Sequence, residues 1–263
     1  MNTAPSWLFP LRKPAETFTA RLLVFPYAAS GPTSLRPMVT LLPPSVELLG
    51  VALPGRERRF GDALRTTVTD VVRGVADALD ERAPLPTYLL GHSMGASLAL
   101  AFALSRPAYC AGVAVSGSKP RAAVLGSLDG MSDEEVTTFL GSLGSTRSQL
   151  LDDPYWRNHL IQLFRHDNEL DVAASRAIQS GRLSEPLLAL GGSQDPYIEP
   201  EDLASWAEHT TGPSEVALFP GGHFFLLDPA NVQAVSATLN DLICGITAAR
   251  QEAHLGCSPC NSR

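Results

Sequence analysis

One pentapeptide constrains this chain more than any other feature. In "TYLLGHSMGASLALAF", residues 87–102, a short apolar run that reads as a buried strand reaches Gly91, and a nearly all-apolar run with helical character starts at Gly95. Between them Ser93 is the middle residue of Gly91-His92-Ser93-Met94-Gly95, a G-x-S-x-G pattern. That pattern suits a tight strand-to-helix turn. The serine is held in a strained backbone, and only small flanking residues let strand and helix approach closely. A lone serine is a weak nucleophile, so the rest of the chain must supply a base and an acid to orient it.

The frame around the pentapeptide is an alternation. Apolar, β-branched runs at 20–28, 46–55, 87–91, 111–117, 186–192 and 215–222 are each accompanied by glycine or proline. Helical spacing fills most of the intervals. Residues 66–83 put Val68, Val71, Val72, Val75 and Leu79 on one face, 95–106 is apolar almost throughout, and 231–246 is the last such segment. Strands alternating with helices predict an α/β fold, with a mostly parallel sheet covered by helices on both faces.

One interval breaks this rhythm. Almost seventy residues separate the runs at 111–117 and 186–192, where a crossover needs about a dozen. Inside it, Ser132 followed by Glu135 is a helix-start signal. Residues 153–178 then read as one or two helices, with Trp156, Leu160, Leu163, Phe164 and Leu170 at core spacing. The expectation is one domain over 1–263: a core at about 18–117 and 186–246, a helical lid insertion at about 120–183, and a disordered tail at about 248–263. Glycine and serine at 141–145 offer a hinge for the lid.

In a parallel sheet the loops at the carboxyl ends of the strands converge on one edge, so partners for Ser93 are sought there. Of the 6 histidines, His92 diverges from its neighbour Ser93 and suits packing or hydrogen bonding. His159 and His166 fall in the insertion, His209 ends a helix and His254 is in the tail. His223, in "FPGGHFFLLDP", directly follows a strand and is the expected base. Asp195, in "PLLALGGSQDP", follows a strand and two glycines and is the expected acid. The chain order Ser93, Asp195, His223 is that of the α/β-hydrolase fold. Backbone N–H groups of Met94 and of Ala28, in "FPYAASG" after the first strong strand, are the expected oxyanion donors.

Composition limits the alternatives. With 44% apolar and 18% charged residues the chain can bury a full core. Its net charge of −7 argues against nucleic-acid binding and gives no reason to expect an anionic membrane surface as partner. The N-terminus lacks a signal-peptide pattern and no stretch has the roughly 20 clean apolar residues of a span, so a cytoplasmic location is expected. Cys110 and Cys244 read as buried packing residues. Cys257 and Cys260 lie in a polar tail with too few further ligands for zinc, so neither a metal nor a cofactor is expected. No nucleotide-binding glycine motif follows any strand.

Taken in order, "FPYAASG", "LPGRERRFGDA", "GHSMGA", "MSDEE", "GGSQDPYI", "EHTTGP" and "FPGGHFFL" resemble the stand-alone type II thioesterases of polyketide and nonribosomal peptide synthetases, over about residues 18–243. The resemblance implies an editing hydrolase that removes stalled or aberrant acyl groups from the phosphopantetheine arm of carrier proteins. It maps Ser93 to the nucleophile, Asp195 to the acid, His223 to the base, and Ala28 and Met94 to the oxyanion donors. One departure is visible: Ala29-Ser30 stands where the family usually has Gly-Gly. Phe164 and Leu163 are candidates to line an acyl chamber. Arg56, Arg58 and Arg59 in "GRERR" form a basic patch that an acidic carrier protein or the pantetheine phosphate would meet. Two alternatives stay open at this point: a general carboxylesterase of the same fold, and a catalytically silent hydrolase-like protein that binds a carrier or small ligand.

Overall fold

A computed structural model describes residues 6–120, 128, 130–142 and 148–245. The Cys257–Cys260 tail and residues 143–145 of the expected hinge at 141–145 lie outside them. Seven strands form one sheet: β1 (Leu8–Pro10), β2 (Ala20–Phe25), β3 (Val46–Val51), β4 (Thr87–His92), β5 (Gly112–Ser116), β6 (Leu187–Gly192) and β7 (Ser214–Phe219), in the order β1-β3-β2-β4-β5-β6-β7. All neighbours are parallel except β1, which runs antiparallel to β3 at the edge. The six parallel strands fall on the six runs read from the sequence. β1 went unread because it is three residues long and ends at a proline, too short to show a period.

The helices are α1 (Arg36–Val39), α2 (Val68–Asp80), α3 (Met94–Ser105), α4 (Asp133–Ser142), α5 (Ser148–Asp152), α6 (Pro154–Ile178), α7 (Pro200–Ala204) and α8 (Val232–Ile243). Alternating strand residues divide between two apolar layers. Leu23, Phe25, Leu89, Val113 and Val115 face one side, with Val71 and Val75 of α2 and the interior of α3. Leu22, Val24, Leu90, Ala114, Leu188 and Leu190 face the other, with Met38 and Val39 of α1 and Val235, Leu239 and Leu242 of α8. Such double-sided burial is why these strands read as continuous apolar runs.

Side-chain caps set three of the helix starts. Thr67 and Asp70 form a reciprocal capping box on α2, and Ser132 and Glu135 do the same before α4. Residues 153–178 make one unbroken helix rather than two. Asp153 accepts hydrogen bonds from the N–H groups of Tyr155 and Trp156 at its start, and Pro154 sits where a missing N–H costs nothing.

α6 joins two layers. Its first half supplies Leu160, Ile161 and Phe164 to a separate cluster with Val136, Leu140 and Leu151 of the insertion. Its second half supplies Leu170, Ala174 and Ile178 to the main core against α3. α3 is therefore covered by the sheet on one side and α6 on the other, which accounts for its apolar character all round. Cys110 is buried as expected, and burial pushes its thiol up to about 12. Cys244 is exposed, contrary to expectation, because it sits past the last core residue of α8.

The chain order of the strands reverses beside β2: β3 pairs with one side of it and β4 with the other. In open α/β sheets the crevice outside the carboxyl ends at such a point receives ligands. Here it is flanked by the loop after β2, carrying Ala28, and the turn after β4, carrying Ser93.

Candidate active site

Ser93 has φ 54° and ψ −123°, a backbone position that side chains disfavour. Its N–H donates to Ser116 O at 2.8 Å, which anchors the turn to β5. The flanking glycines are required by space. A Cβ on Gly91 would lie 1.9 Å from Gly95 O, and one on Gly95 would lie 2.3 Å from Phe25 O. Strand and helix thus touch backbone to backbone, and the turn lifts Ser93 to the half-buried strand edge. Met94 opens α3, where the first N–H groups have no partner within the helix.

The loops after β6 and β7 bring Asp195 and His223 together. Asp195 Oδ2 lies 2.8 Å from His223 Nδ1, and both residues are buried. Asp195 Oδ1 accepts the N–H of Tyr197 at 3.0 Å, so both carboxylate oxygens are engaged. An acceptor carboxylate on Nδ1 sets the imidazole with its proton on that nitrogen, leaving Nε2 as the basic one. The ring is boxed by Tyr197, Phe224 and His92, with centroids 5.5, 5.1 and 5.0 Å away. Since His92 precedes Ser93 in the chain, this contact puts the imidazole beside the serine turn.

Four residues that sequence reading missed support this arrangement. Asn231 donates through Nδ2 to Pro220 O at 2.7 Å and Phe225 O at 3.0 Å, bracing both ends of the His223 loop. Gly117, at φ 55°, leaves room for both imidazoles; a Cβ there would come within 2.6 Å of His92 and 3.3 Å of His223. Ser116 Oγ lies 3.0 Å from His92 Nδ1. Tyr197 lies in the "GGSQDPYI" stretch, where nothing in the sequence sets it apart. His92, expected to pack or to hydrogen-bond, is fully buried and, among the described residues, bonds through Nδ1 alone.

The loop after β2 is a tight turn from Tyr27 to Ser30, closed by Ser30 N–H to Tyr27 O at 3.2 Å. Ala29 occupies it at φ 56°, where glycine is the natural occupant. The loop thus takes the path glycine would allow, although the sequence has alanine, at a cost of about 1 kcal/mol. Ala29 N–H is already bound to Asp167 Oδ2 at 2.8 Å. Ala28 N–H, by contrast, has no acceptor among the described residues.

The basic stretch does not present three free guanidinium groups. Arg56, expected as a docking residue, is instead buried: its guanidinium makes two 2.6 Å bonds to Asp167, a side chain with no exposed surface. Arg59 is half-buried on Asp62 and stacks over Trp7. Arg58 is exposed, with its guanidinium 4.9 Å over the Phe9 ring. Leu163 and Phe164 are buried packing residues; the Phe164 ring lies 5.5 Å from that of Phe139 of α4, tilted by 34°, and neither lines the groove beside His223. That groove, about 310 Å³, is walled by Tyr197, Phe224, Asp228 and Ser142 of α4. A larger groove of about 1030 Å³ runs between Trp7, Arg59 and α2 and holds none of the three candidate catalytic side chains. Among the described residues no cluster of metal ligands is present and no helix is long and apolar enough to cross a membrane.

A serine turn and a carboxylate–imidazole pair, delivered in this chain order to one edge of a parallel sheet, belong to the α/β-hydrolase class. Comparison narrows the class. A family model described as "Thioesterase domain" matches residues 20–243, and the chain belongs to this family. The "Probable cadicidin biosynthesis thioesterase" of Streptomyces griseus is 30% identical over 246 residues, covering 90% of this chain and 67% of that protein. The "Gramicidin S biosynthesis protein GrsT" of Aneurinibacillus migulanus is 30% identical over 218 residues, 79% of this chain and 83% of that one. Among solved structures, the type II thioesterase BorB from the borrelidin biosynthetic cluster superposes with a TM-score of 0.74 at 28% identity, covering 91% of this chain and 99% of BorB.

Proposed function

We propose that this protein is a serine thioesterase that clears aberrant or stalled acyl groups from the phosphopantetheine arm of carrier proteins in polyketide or nonribosomal peptide biosynthesis. The observation that carries the reading is the 2.8 Å pair of Asp195 and His223 beside a strained serine turn, in a chain of the thioesterase family. The relatives named for biosynthetic thioesterases support the choice of substrate.

In this mechanism His223 Nε2 takes the proton of Ser93 as Oγ attacks the thioester carbonyl. The N–H groups of Met94 and Ala28 stabilise the oxyanion, and Asp195 stabilises the imidazolium. The tetrahedral intermediate expels the pantetheine thiolate, which receives the proton from His223. Water, deprotonated by the same imidazole, then attacks the acyl-Ser93 ester and releases the free acid. The helices between β5 and β6 act as a lid on the single domain: Ser142 of α4 reaches the groove at His223, and Phe139 packs 6.1 Å from Tyr197. The working location is the cytoplasm, alongside a synthetase.

The test is direct. A carrier protein loaded with a short acyl-phosphopantetheine is incubated with the parent and with His223→Ala, and its intact mass is followed. The parent converts it to the free-thiol form and the variant does not; no release by the parent contradicts the proposal.

A further inference from the structure

The mechanism above leaves a buried ion pair without a task. Arg56 follows β3, and Asp167 lies in α6 of the insertion, 111 residues away along the chain. Ion pairs this deeply buried are seldom more stabilising than apolar residues of the same shape, so their presence calls for another account. Their hydrogen bonds supply one. Asp167 Oδ2 accepts Ala29 N–H at 2.8 Å, and Arg56 Nη1 donates to Ser30 O at 3.1 Å. The pair therefore grips the far half of the Tyr27–Ser30 turn on both its donor and its acceptor side.

That grip has a consequence one peptide earlier. Ser30 holds Tyr27 O with its N–H at 3.2 Å and its Oγ at 2.9 Å. In a planar trans peptide the carbonyl of Tyr27 and the N–H of Ala28 point in opposite directions. Fixing Tyr27 O thus aims the Ala28 N–H. Ala29 sits at the turn position that prefers glycine, so the turn needs an outside hold. The neighbouring Glu57 ties the same two loops again by accepting Thr33 N–H at 3.2 Å.

We propose that Arg56 and Asp167 are positioning residues for thioester hydrolysis: their buried ion pair clamps the Tyr27–Ser30 turn from the insertion helix and so orients the Ala28 N–H toward the developing oxyanion. This rests on the reading of Ala28 as an oxyanion donor. It also makes α6 a physical link between the insertion and the reaction centre, because Ala28 and Ala29 pack against the same cluster as Phe164.

The experiment compares the parent, Asp167→Asn, the double apolar variant Arg56→Met with Asp167→Leu, and that double variant with Ala29→Gly added. Each is assayed on an acyl thioester of N-acetylcysteamine and for inhibition by an alkyl trifluoromethyl ketone, whose adduct on serine carries an oxyanion. Asp167→Asn should lower kcat by about 100-fold with KM nearly unchanged, and weaken the ketone by a similar factor. The double variant should recover the parent's melting temperature but not its kcat, and Ala29→Gly should then restore about tenfold by letting the turn form unaided. Parental kcat in the folded double variant overturns the proposal, as does a kcat loss that leaves ketone affinity intact. If the parent itself shows no Ser93-dependent turnover, the functional reading fails first and the clamp's role fails with it.

Discussion

The imidazole rings of His92 and His223 lie 5.0 Å apart, centroid to centroid, with His92 fully buried. Burial first, and the proximity of His223 second, hold the His92 pKa well below the ordinary histidine value; its bond to Ser116 acts the other way. His92 is therefore neutral in the folded protein and puts no charge beside the base.

A pH dependence of stability follows. The unfolded chain takes up a proton on His92 as the pH falls through about 6.5, and the folded chain does not. Stability is thus lost below that pH, by about 1.4 kcal/mol per unit for one such group. Urea unfolding from pH 7 to pH 5 should show this slope, and His92→Gln should flatten it by about one proton. An unchanged slope in the variant contradicts the assignment.

The two glycines of the serine turn should be irreplaceable. Gly91→Ala and Gly95→Ala drive a Cβ into backbone oxygens at 1.9 and 2.3 Å, with an expected loss of about 3 kcal/mol or more. Gly61, with nothing within 4 Å of a built Cβ, is the control, and Gly61→Ala should stay within about 0.5 kcal/mol. Equal urea midpoints for the three variants would contradict the packing described.

Asp195→Asn keeps an acceptor for the Tyr197 N–H but turns an amide toward His223. The imidazole then carries its proton on Nε2 and cannot serve as base, so kcat should fall by about 10⁴. A loss smaller than tenfold would remove Asp195 from the mechanism.

Arg58 is the exposed guanidinium of the basic stretch. Arg58→Glu should raise KM several-fold for a carrier-bound acyl group, more at low salt than at high, and leave a small thioester unaffected. Equal effects on both substrates would exclude a docking role for Arg58.

The sequence was legible where one local pattern maps to one structure. The six parallel strands, the capping box at Ser132, and the loop positions of Ser93, Asp195 and His223 all follow from period, punctuation and chain order. Arg56 was misread because a cluster of like charges suggests a surface, while its partner Asp167 is distant in sequence and signals nothing by itself. Asn231 and Gly117 were missed for the same reason: a buried amide and a left-handed glycine have meaning only against the loops they brace. Leu163 and Phe164 show the limit of helical spacing, which identifies a buried face and not what it is buried against.

The central claim is that Ser93 attacks a carrier-bound thioester. Its most direct test is the rate of acyl release from a phosphopantetheinyl carrier protein, beside a matched oxygen ester, by the parent and by Ser93→Ala. Rapid release from the carrier, a sluggish oxygen ester, and a loss of roughly 10⁴-fold or more in Ser93→Ala are predicted. Activity confined to the oxygen ester, or release that survives the loss of Ser93, would contradict it.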